Sequence, residues 1–472
     1  MFADLKPYPE YRDSGVGWLS PVPSHWDLRR MRFLLREIDR RSISGEEQLL
    51  RVSQYTGVTE RRSAAIGGDP DTRATSLVGY KRVAPGDLVI NIMLAWNGSL
   101  GVSRYEGIVS PAYCVYRFSG DVVATYYHDL LRSPAYRSHI KSMSTGVVDS
   151  RLRLYSDRLY GIEGLVPSVY EQAAIVKYLG HANARIDRAI AAKRKLIALL
   201  DEQKQAIINQ AVTRGLDPNV PMKDSGIPWL GQIPAHWPVA ALRQRYSQSL
   251  GKMLDSSRIV GNDLLPYLRN TDVQWDRINM VDLPEMDIPE AEFDRYTLEP
   301  GDLLVCEGGD VGRAAIWGNV ERVGYQKALH RLRPGNANED VPRYLLYGLR
   351  VASKTGAFSD GHVSTIAHLT GEKLRAHRFA WPSAAEQQSI VDHLDSSTAA
   401  TNRTIDRVSR EIELLREFRT RLTADVVTGQ LDIRDSAALL PELDPADLVS
   451  DAVPDEDELD EVLAESLEEV DA

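Results

Sequence analysis

An α+β protein, with two similar strand-rich domains separated by two long helices that pair as an antiparallel coiled coil, is predicted by three observations. A set of motifs is written twice along the chain. In both copies the hydrophobic period changes at a proline, and beyond it the apolar residues step by alternating 4 and 3.

The repeat begins with Asp13-Ser14-Gly15-Val16-Gly17-Trp18-Leu19 and Pro23-Ser24-His25-Trp26. These return 211 residues later as Asp224-Ser225-Gly226-Ile227-Pro228-Trp229-Leu230 and Pro234-Ala235-His236-Trp237. A displacement of 215 then carries Pro85-Gly86-Asp87-Leu88 to Pro300-Gly301-Asp302-Leu303, Gly146 to Gly361, Leu154 to Leu369, Pro167 to Pro382 and Glu171-Gln172 to Glu386-Gln387. Before each proline, short apolar stretches such as Leu88-Val89-Ile90 and Leu303-Leu304-Val305 are bounded by Gly, Pro, Asn and Asp, the punctuation of short strands. Asp87 and Asp302 follow a Pro-Gly pair and fit a turn entering a strand better than a catalytic acid.

After the prolines, Ile186, Ile190, Lys193, Ile197, Leu200, Lys204, Ile207 and Ala211 form one seam. The second is Thr401, Ile405, Val408, Ile412, Leu415, Arg419, Leu422 and Val426. The cations Lys204 and Arg419 are expected to lay their stems along the groove and keep their charges in water. A helix over about Ile175–Val212, rising ~1.5 Å per residue, is too long to hide in one small domain. Pairing the two helices antiparallel buries both seams and gives a pseudo-twofold, circular organisation with one domain at each end of a rod. Leu431 and Asp432 should then approach Asp13–Trp18. Trp18, Trp26, Trp229 and Trp237, with His25 and His236, are expected to anchor the start of each domain to the helix ends.

Composition narrows the function class. Of 472 residues 43% are hydrophobic and 26% charged, and the longest apolar run, Leu88–Trp96, is far short of the ~20 residues that span a bilayer. No signal peptide or membrane segment is read, so a soluble cytoplasmic protein is expected. Cys114 and Cys306 lack the spacing of a zinc site or disulfide framework. The net charge of −11 hides an asymmetry: Ser436–Ala472 holds 14 acids and no Lys or Arg, leaving 53 acids against 56 bases in residues 1–435. Such a body is compatible with local neutralisation of phosphates.

The doubled Asp-Ser-Gly-x-x-Trp-Leu starts, the Pro-x-x-x-Glu-Gln-x-x-Ile-Val helix openings at Pro167 and Pro382, the run Gly86–Gly98 and the stretch His368–Leu374 together resemble the specificity subunits of Type I restriction and modification systems. The resemblance covers about residues 8–434. It implies target-recognition domains over 1–167 and 218–382 and spacer helices over 168–217 and 383–434; the tail over 435–472 lies outside it and is expected from its dense acid to be disordered. The resemblance implies a non-catalytic adaptor for phage defence that binds double-stranded DNA with a bipartite target. Two methylation subunits and restriction subunits are the implied partners. No cofactor is implied in this chain; S-adenosylmethionine, ATP and Mg²⁺ belong to the partners.

DNA readers need cations for phosphates, and Arg, Lys, Asn or Gln for base edges. In the first domain these criteria select Arg61, Arg62, Arg73, Lys81, Asn91, Trp96, Asn97, Arg151 and Arg153. In the second they select Lys252, Arg269, Asn270, Arg313, Gln326, Lys327 and His330. Enzyme readings find little support. The nearest match to an adenine methyltransferase loop, Ser110-Pro111-Ala112-Tyr113, lacks the amide or acid and the second proline. No phosphate-cradling Gly-x4-Gly-Lys-Ser/Thr loop is present, and Glu202-Gln203-Lys204 lies within a helix seam. A self-sufficient DNA adenine methyltransferase and a scaffold without sequence-specific binding remain the alternatives.

Overall fold

The computed structural model describes residues 5–61, 76–148, 151–254, 261, 263–358 and 368–442. Contacts divide the chain into two units, Met1–Arg194 with Ser409–Ala472, and Lys195–Val408. Among the described residues the helices follow in the order α1 (Ala124–Arg132), α2 (Pro134–Met143), α3 (Ser156–Gly161), α4 (Val169–Arg214), α5 (Phe293–Tyr296), α6 (Pro342–Lys354), α7 (Gly371–Ala376), α8 (Ala384–Val427) and α9 (Arg434–Ala438).

Each unit is built on the same antiparallel four-stranded sheet. In the first unit the order is Leu35–Glu37, Cys114–Phe118, Leu88–Ile90, Leu100–Val102. In the second it is Tyr246–Leu250, Leu329–Pro334, Leu303–Cys306, Ala314–Ile316. The apolar runs at the centre of these sheets are buried on both faces. Because strand side chains alternate, Leu88 and Ile90 enter one cluster and Val89 another. Likewise Leu303 and Val305 are separated from Leu304 and Cys306. The Pro-Gly-Asp turns act as expected: Asp87 accepts from the Ala84 amide at 2.9 Å and Asp302 from the Glu299 amide at 2.7 Å. Each carboxylate also receives two bonds from an arginine on the adjacent strand, Arg117 or Arg333.

Helices also belong to this frame, which a reading of short apolar stretches leaves out. α1 buries Tyr126, Tyr127, Leu130 and Leu131, and α6 buries Tyr344, Leu345, Leu349 and Val351. The Val123 and Val341 amides just before them donate to Gln172 and Gln387, at 2.8 and 2.9 Å. The duplicated Gln therefore ties the sheet-bearing part of each unit to its long helix.

In the first unit, Asp187 and Lys193 of α4 pair with Arg419 and Glu411 of α8, so the two segments run antiparallel. In the second, Lys204 faces Asn402, while Ile208 and Val212 share a core with Ile390 and Leu394. No seam position on either helix is exposed. The seam cations differ from expectation. Lys204 keeps only a tenth of its side-chain surface exposed and bonds Asn402 at 3.0 Å and Asp201 at 3.1 Å, and Arg419 is paired with Asp187. Protein partners thus take the place of water at both cations. Since a paired buried charge is often no better than a hydrophobe of similar volume, Lys204→Leu should raise the unfolding free energy measured in denaturant by about 0.5–1 kcal/mol, as Asn402 and Asp201 remain hydrated.

The end of α8 returns to the start of the chain within the first unit. The Asp432 amide donates to the Lys6 carbonyl at 2.8 Å, Tyr11 Oη to the Gly429 carbonyl at 3.0 Å, and Leu431 packs on the core that holds Leu19. Gly429 is at φ +76°, and an added Cβ would lie 2.6 Å from Pro23 and 3.0 Å from Trp26. Its counterpart after α4, Gly215, sits at φ +73° against Trp237. Residues 435–442, read from sequence as part of the disordered tail, are ordered: Ala437 is buried and Lys177 pairs with Glu442 at 2.9 Å. Residues 443–472 lie outside the described residues. No helix among the described residues is long and apolar enough to cross a membrane.

Candidate nucleic-acid interface

In the first unit the chain turns sharply after strand Leu88–Ile90. Asn91 closes that turn, accepting from the Met93 amide at 3.1 Å and donating to Tyr113 Oη at 3.2 Å, and it is buried. Asn97 accepts from the amide and hydroxyl of Ser99, which leaves its Nδ2 directed elsewhere. Trp96 is half-buried, donates to the Met93 carbonyl and lies under the Lys141 ammonium at 4.9 Å. Arg151 and Arg153 stand beside this turn because the Leu154 amide donates to the Ile92 carbonyl at 2.9 Å. Arg151 is exposed and Arg153 half-buried. Arg61 continues strand Gly57–Glu60 through its amide bond to the Leu49 carbonyl. Lys81 is buried where its strand pairs with Val109. Arg62 and Arg73 lie outside the described residues.

The second unit repeats the junction: the Leu369 amide donates to the Glu307 carbonyl at 2.8 Å, at the same displacement of 215. Around it the other candidates converge. Arg313 donates to the Asn270 carbonyl at 2.8 Å, Asn270 Nδ2 to the Gly308 carbonyl at 3.3 Å, and the Gln326 amide to the Leu268 carbonyl. The Lys327 amide bonds the Lys252 carbonyl. The result is an open concavity lined by Leu254, Glu307, Gln326, Lys327 and Ala328. Lys327 is exposed, whereas Lys252 pairs with Glu292 and Arg269 bonds Asp272 through two nitrogens. Among the described residues, Asn270 Oδ1 and Arg313 Nε are buried without a hydrogen-bond partner.

His330 does not face this concavity. It is wholly buried, with Nε2 on the Leu369 carbonyl and Nδ1 on Gln248, both at 3.0 Å, and burial lowers its pKa. Its strand is covered on both faces over the first four residues, so its task is to hold the junction. Lys81 and Asn91 are likewise occupied by the frame.

Burial also pulls the pKa of His377, packed among Trp229, Phe358 and Phe379, down to about 4. A depressed folded pKa means that the unfolded chain takes up the proton first on acidification. The contribution is therefore full above the unfolded value of ~6.5 and fades as pH falls toward about 4. His377→Phe should flatten the acid limb of the stability curve, retaining about 1–2 kcal/mol at pH 5 relative to the parent. Equal slopes in urea titrations from pH 7 to 4.5 would contradict it.

Sequence reasoning overlooks two neighbours of these surfaces. Lys141 is on α2, outside any loop signal, and Trp275, whose Nε1 donates to Asp310 at 2.7 Å, has no counterpart in the repeat. The surroundings of the junction differ between the units. The first has hairpin Leu50–Ser53/Gly57–Glu60 and the pair Lys81–Val83/Gly107–Val109. The second has a three-stranded sheet of Glu285–Asp287, Leu264–Leu268 and Gly324–Tyr325, with one parallel pairing.

A shared frame is written twice and carries two dissimilar loop surfaces rich in Arg, Lys, Asn and Gln. Residues 270–414 match the family model described as Type I restriction modification DNA specificity domain. The Type I restriction enzyme EcoKI specificity subunit of Escherichia coli (strain K12) is 22% identical over 391 residues, 77% of this chain and 81% of that protein. A chain from a solved structure, described as the structural basis underlying complex assembly and conformational transition of the type I R-M system, superposes with a TM-score of 0.56. It shares 15% identity over 87% of this chain and 99% of that one, a likeness of fold. Residues 270–414 thus carry the Type I DNA specificity domain, and over most of its length the chain is similar to Type I specificity subunits in sequence and fold.

Proposed function

We propose that this chain is the non-catalytic DNA-reading subunit of a Type I restriction-modification assembly, each unit reading one half of a bipartite duplex target. The observation that carries the reading is the invariance of the junction, Leu154 to Ile92 and Leu369 to Glu307, beneath loop surfaces that differ. A fixed support with variable loops suits two readers of unlike sequences. In the first unit Arg61, Trp96, Asn97, Arg151 and Arg153 are assigned to DNA, with Arg62 and Arg73 in the neighbouring segment. In the second, Lys252, Arg269, Asn270, Arg313, Gln326 and Lys327 take that role. Lys81, Asn91 and His330 act through the shape they give these surfaces. The partners are double-stranded DNA, two methylation subunits and restriction subunits, in the cytoplasm. S-adenosylmethionine, ATP and Mg²⁺ act in those partners. The absence from the sequence of an adenine-methyltransferase loop and of a phosphate-binding loop supports that division of labour.

Exchanging residues 1–167 for the corresponding domain of another specificity subunit should alter one half of the methylated motif and leave the other intact. A change in both halves contradicts modular reading. Methyl transfer by the purified chain alone would favour a self-sufficient enzyme. Binding with neither sequence preference nor salt dependence would favour a bare scaffold.

A further inference from the structure

The helix after the four-stranded sheet carries an arginine near its end in both units. Arg132 closes α1 and Arg350 lies in the last turns of α6, displaced by 218, the displacement that also relates Val123 to Val341 and Tyr126 to Tyr344. Neither is among the residues selected as DNA contacts.

Arg132 donates to five backbone carbonyls. Nη1 reaches Ser53 at 3.3 Å, Gly98 at 2.9 Å and Leu100 at 2.8 Å, while Nη2 reaches Gln54 at 2.7 Å and Tyr55 at 2.6 Å. Ser53, Gln54 and Tyr55 form the turn of the hairpin Leu50–Ser53/Gly57–Glu60, and Gly98–Leu100 is the exit of the turn that holds Trp96 and Asn97. One guanidinium thus joins two loops that share no strand ladder at this point. Its neighbour His128 fills the space under them: an added Cβ on Gly57 would lie 2.7 Å from the imidazole, and the Val102 amide donates to His128 Nδ1 at 3.1 Å.

Arg350 joins the equivalent parts by different chemistry. Its guanidinium lies 5.8 Å over the ring of Trp275, in the turn between strands Val273–Gln274 and Arg277–Ile278. Trp275 in turn donates to Asp310 in the loop after Leu303–Cys306, and Arg350 Nη2 is 3.9 Å from Asp201 of α4. A planar fork with several fixed donors suits such bridging, where a lysine ammonium supplies one point of attachment.

We propose that Arg132 and Arg350 are positioning residues for sequence reading, each fixing the hairpin turn of its own unit against the loop that carries base-reading side chains. Arg132 holds main-chain oxygens, so its grip is independent of loop sequence; Arg350 depends on Trp275 and Asp310. This rests on the DNA-reading function proposed above.

The test is selection of bound duplexes from a randomised pool by the full chain and by Arg132→Lys, Arg132→Gln, Arg350→Lys and Arg350→Gln, with the unfolding temperature of each. Arg132→Lys keeps charge and stem and serves if Arg132→Gln fails to fold. Among the Arg132 variants that remain folded, preference should fall by about tenfold in one half of the target. It should fall in the other half for Arg350→Gln, with partial rescue in Arg350→Lys, whose ammonium can still sit over Trp275. Folded variants that select the parental target, blur both halves alike, or lose affinity at unchanged preference overturn the positioning role. A parent chain that selects no sequence overturns the DNA-reading function itself, a distinguishable failure.

Discussion

Glu171→Ala should destabilise the first unit by about 3–5 kcal/mol, whereas Glu386→Ala should cost the second only about 1–2 kcal/mol. The two glutamates occupy the same place in the repeat and each receives a tryptophan Nε1, Trp26 at 3.0 Å and Trp237 at 2.9 Å. Their surroundings differ. Glu171 also accepts from Tyr8 Oη at 2.7 Å and pairs with His25 at 3.0 Å, and its side chain is 5% exposed. Among the described residues Glu386 has only His236 besides its tryptophan, and its side chain is 30% exposed. Truncating Glu171 leaves Tyr8 and Trp26 with buried donors and no acceptor, while water can reach the vacancy at Glu386. Hydrogen exchange resolved by unit, in denaturant, measures both losses. Equal losses would show that burial of the carboxylate does not set the energy.

Gly251→Ala should cost the second unit about 3 kcal/mol. The added Cβ would stand 2.2 Å from the Gln326 carbonyl oxygen and 2.5 Å from that of Tyr325, main-chain atoms that cannot rotate away. Relief requires strand Tyr246–Leu250 to part from Gly324–Tyr325, dragging Lys252, Gln326 and Lys327 with it. Folded Gly251→Ala should therefore also weaken recognition of one half of the DNA target. Gly318→Ala is the control, since nothing lies within 4 Å of its Cβ and its φ is ordinary. A midpoint shift for Gly251→Ala no larger than for Gly318→Ala would refute the clash.

The long helices, their seam and the central strands were legible in the sequence because each rests on a backbone period, 3.5 or 2, that survives without knowledge of what packs against it. The tryptophan starts and the Glu-Gln helix openings were legible as motifs but not as partners. Trp26 and Glu171 are 145 residues apart, and no local pattern announces their bond. The candidate interface was less legible. His330 follows Gln326 and Lys327 and shares their polar character, yet it falls on strand Leu329–Pro334, whose first four residues are all buried. Asn91 likewise reads as a surface amide until the turn to Ser99 encloses it. Which polar side chain faces out is decided by strand register and by the loops laid over it, and those are tertiary facts. Arg132 was invisible for the same reason: a cation in the last turn of a helix normally suggests a solvated end, and only folding brings five carbonyls around it.

The pairing of Asp432 with Lys6 has a consequence for biosynthesis. The core of the first unit includes Leu422, Val426, Val427 and Ile433, whereas the second unit is one uninterrupted stretch, Lys195–Val408. At ~5–20 residues per second, a ribosome that has delivered Arg194 works for roughly 10–40 s before it reaches Ser409. The half of the molecule encoded first is thus the last to close, with Ile175, Tyr178 and Leu179 awaiting their cover meanwhile. A premature stop shortly after Val408 leaves the later-encoded half entire and the earlier one open.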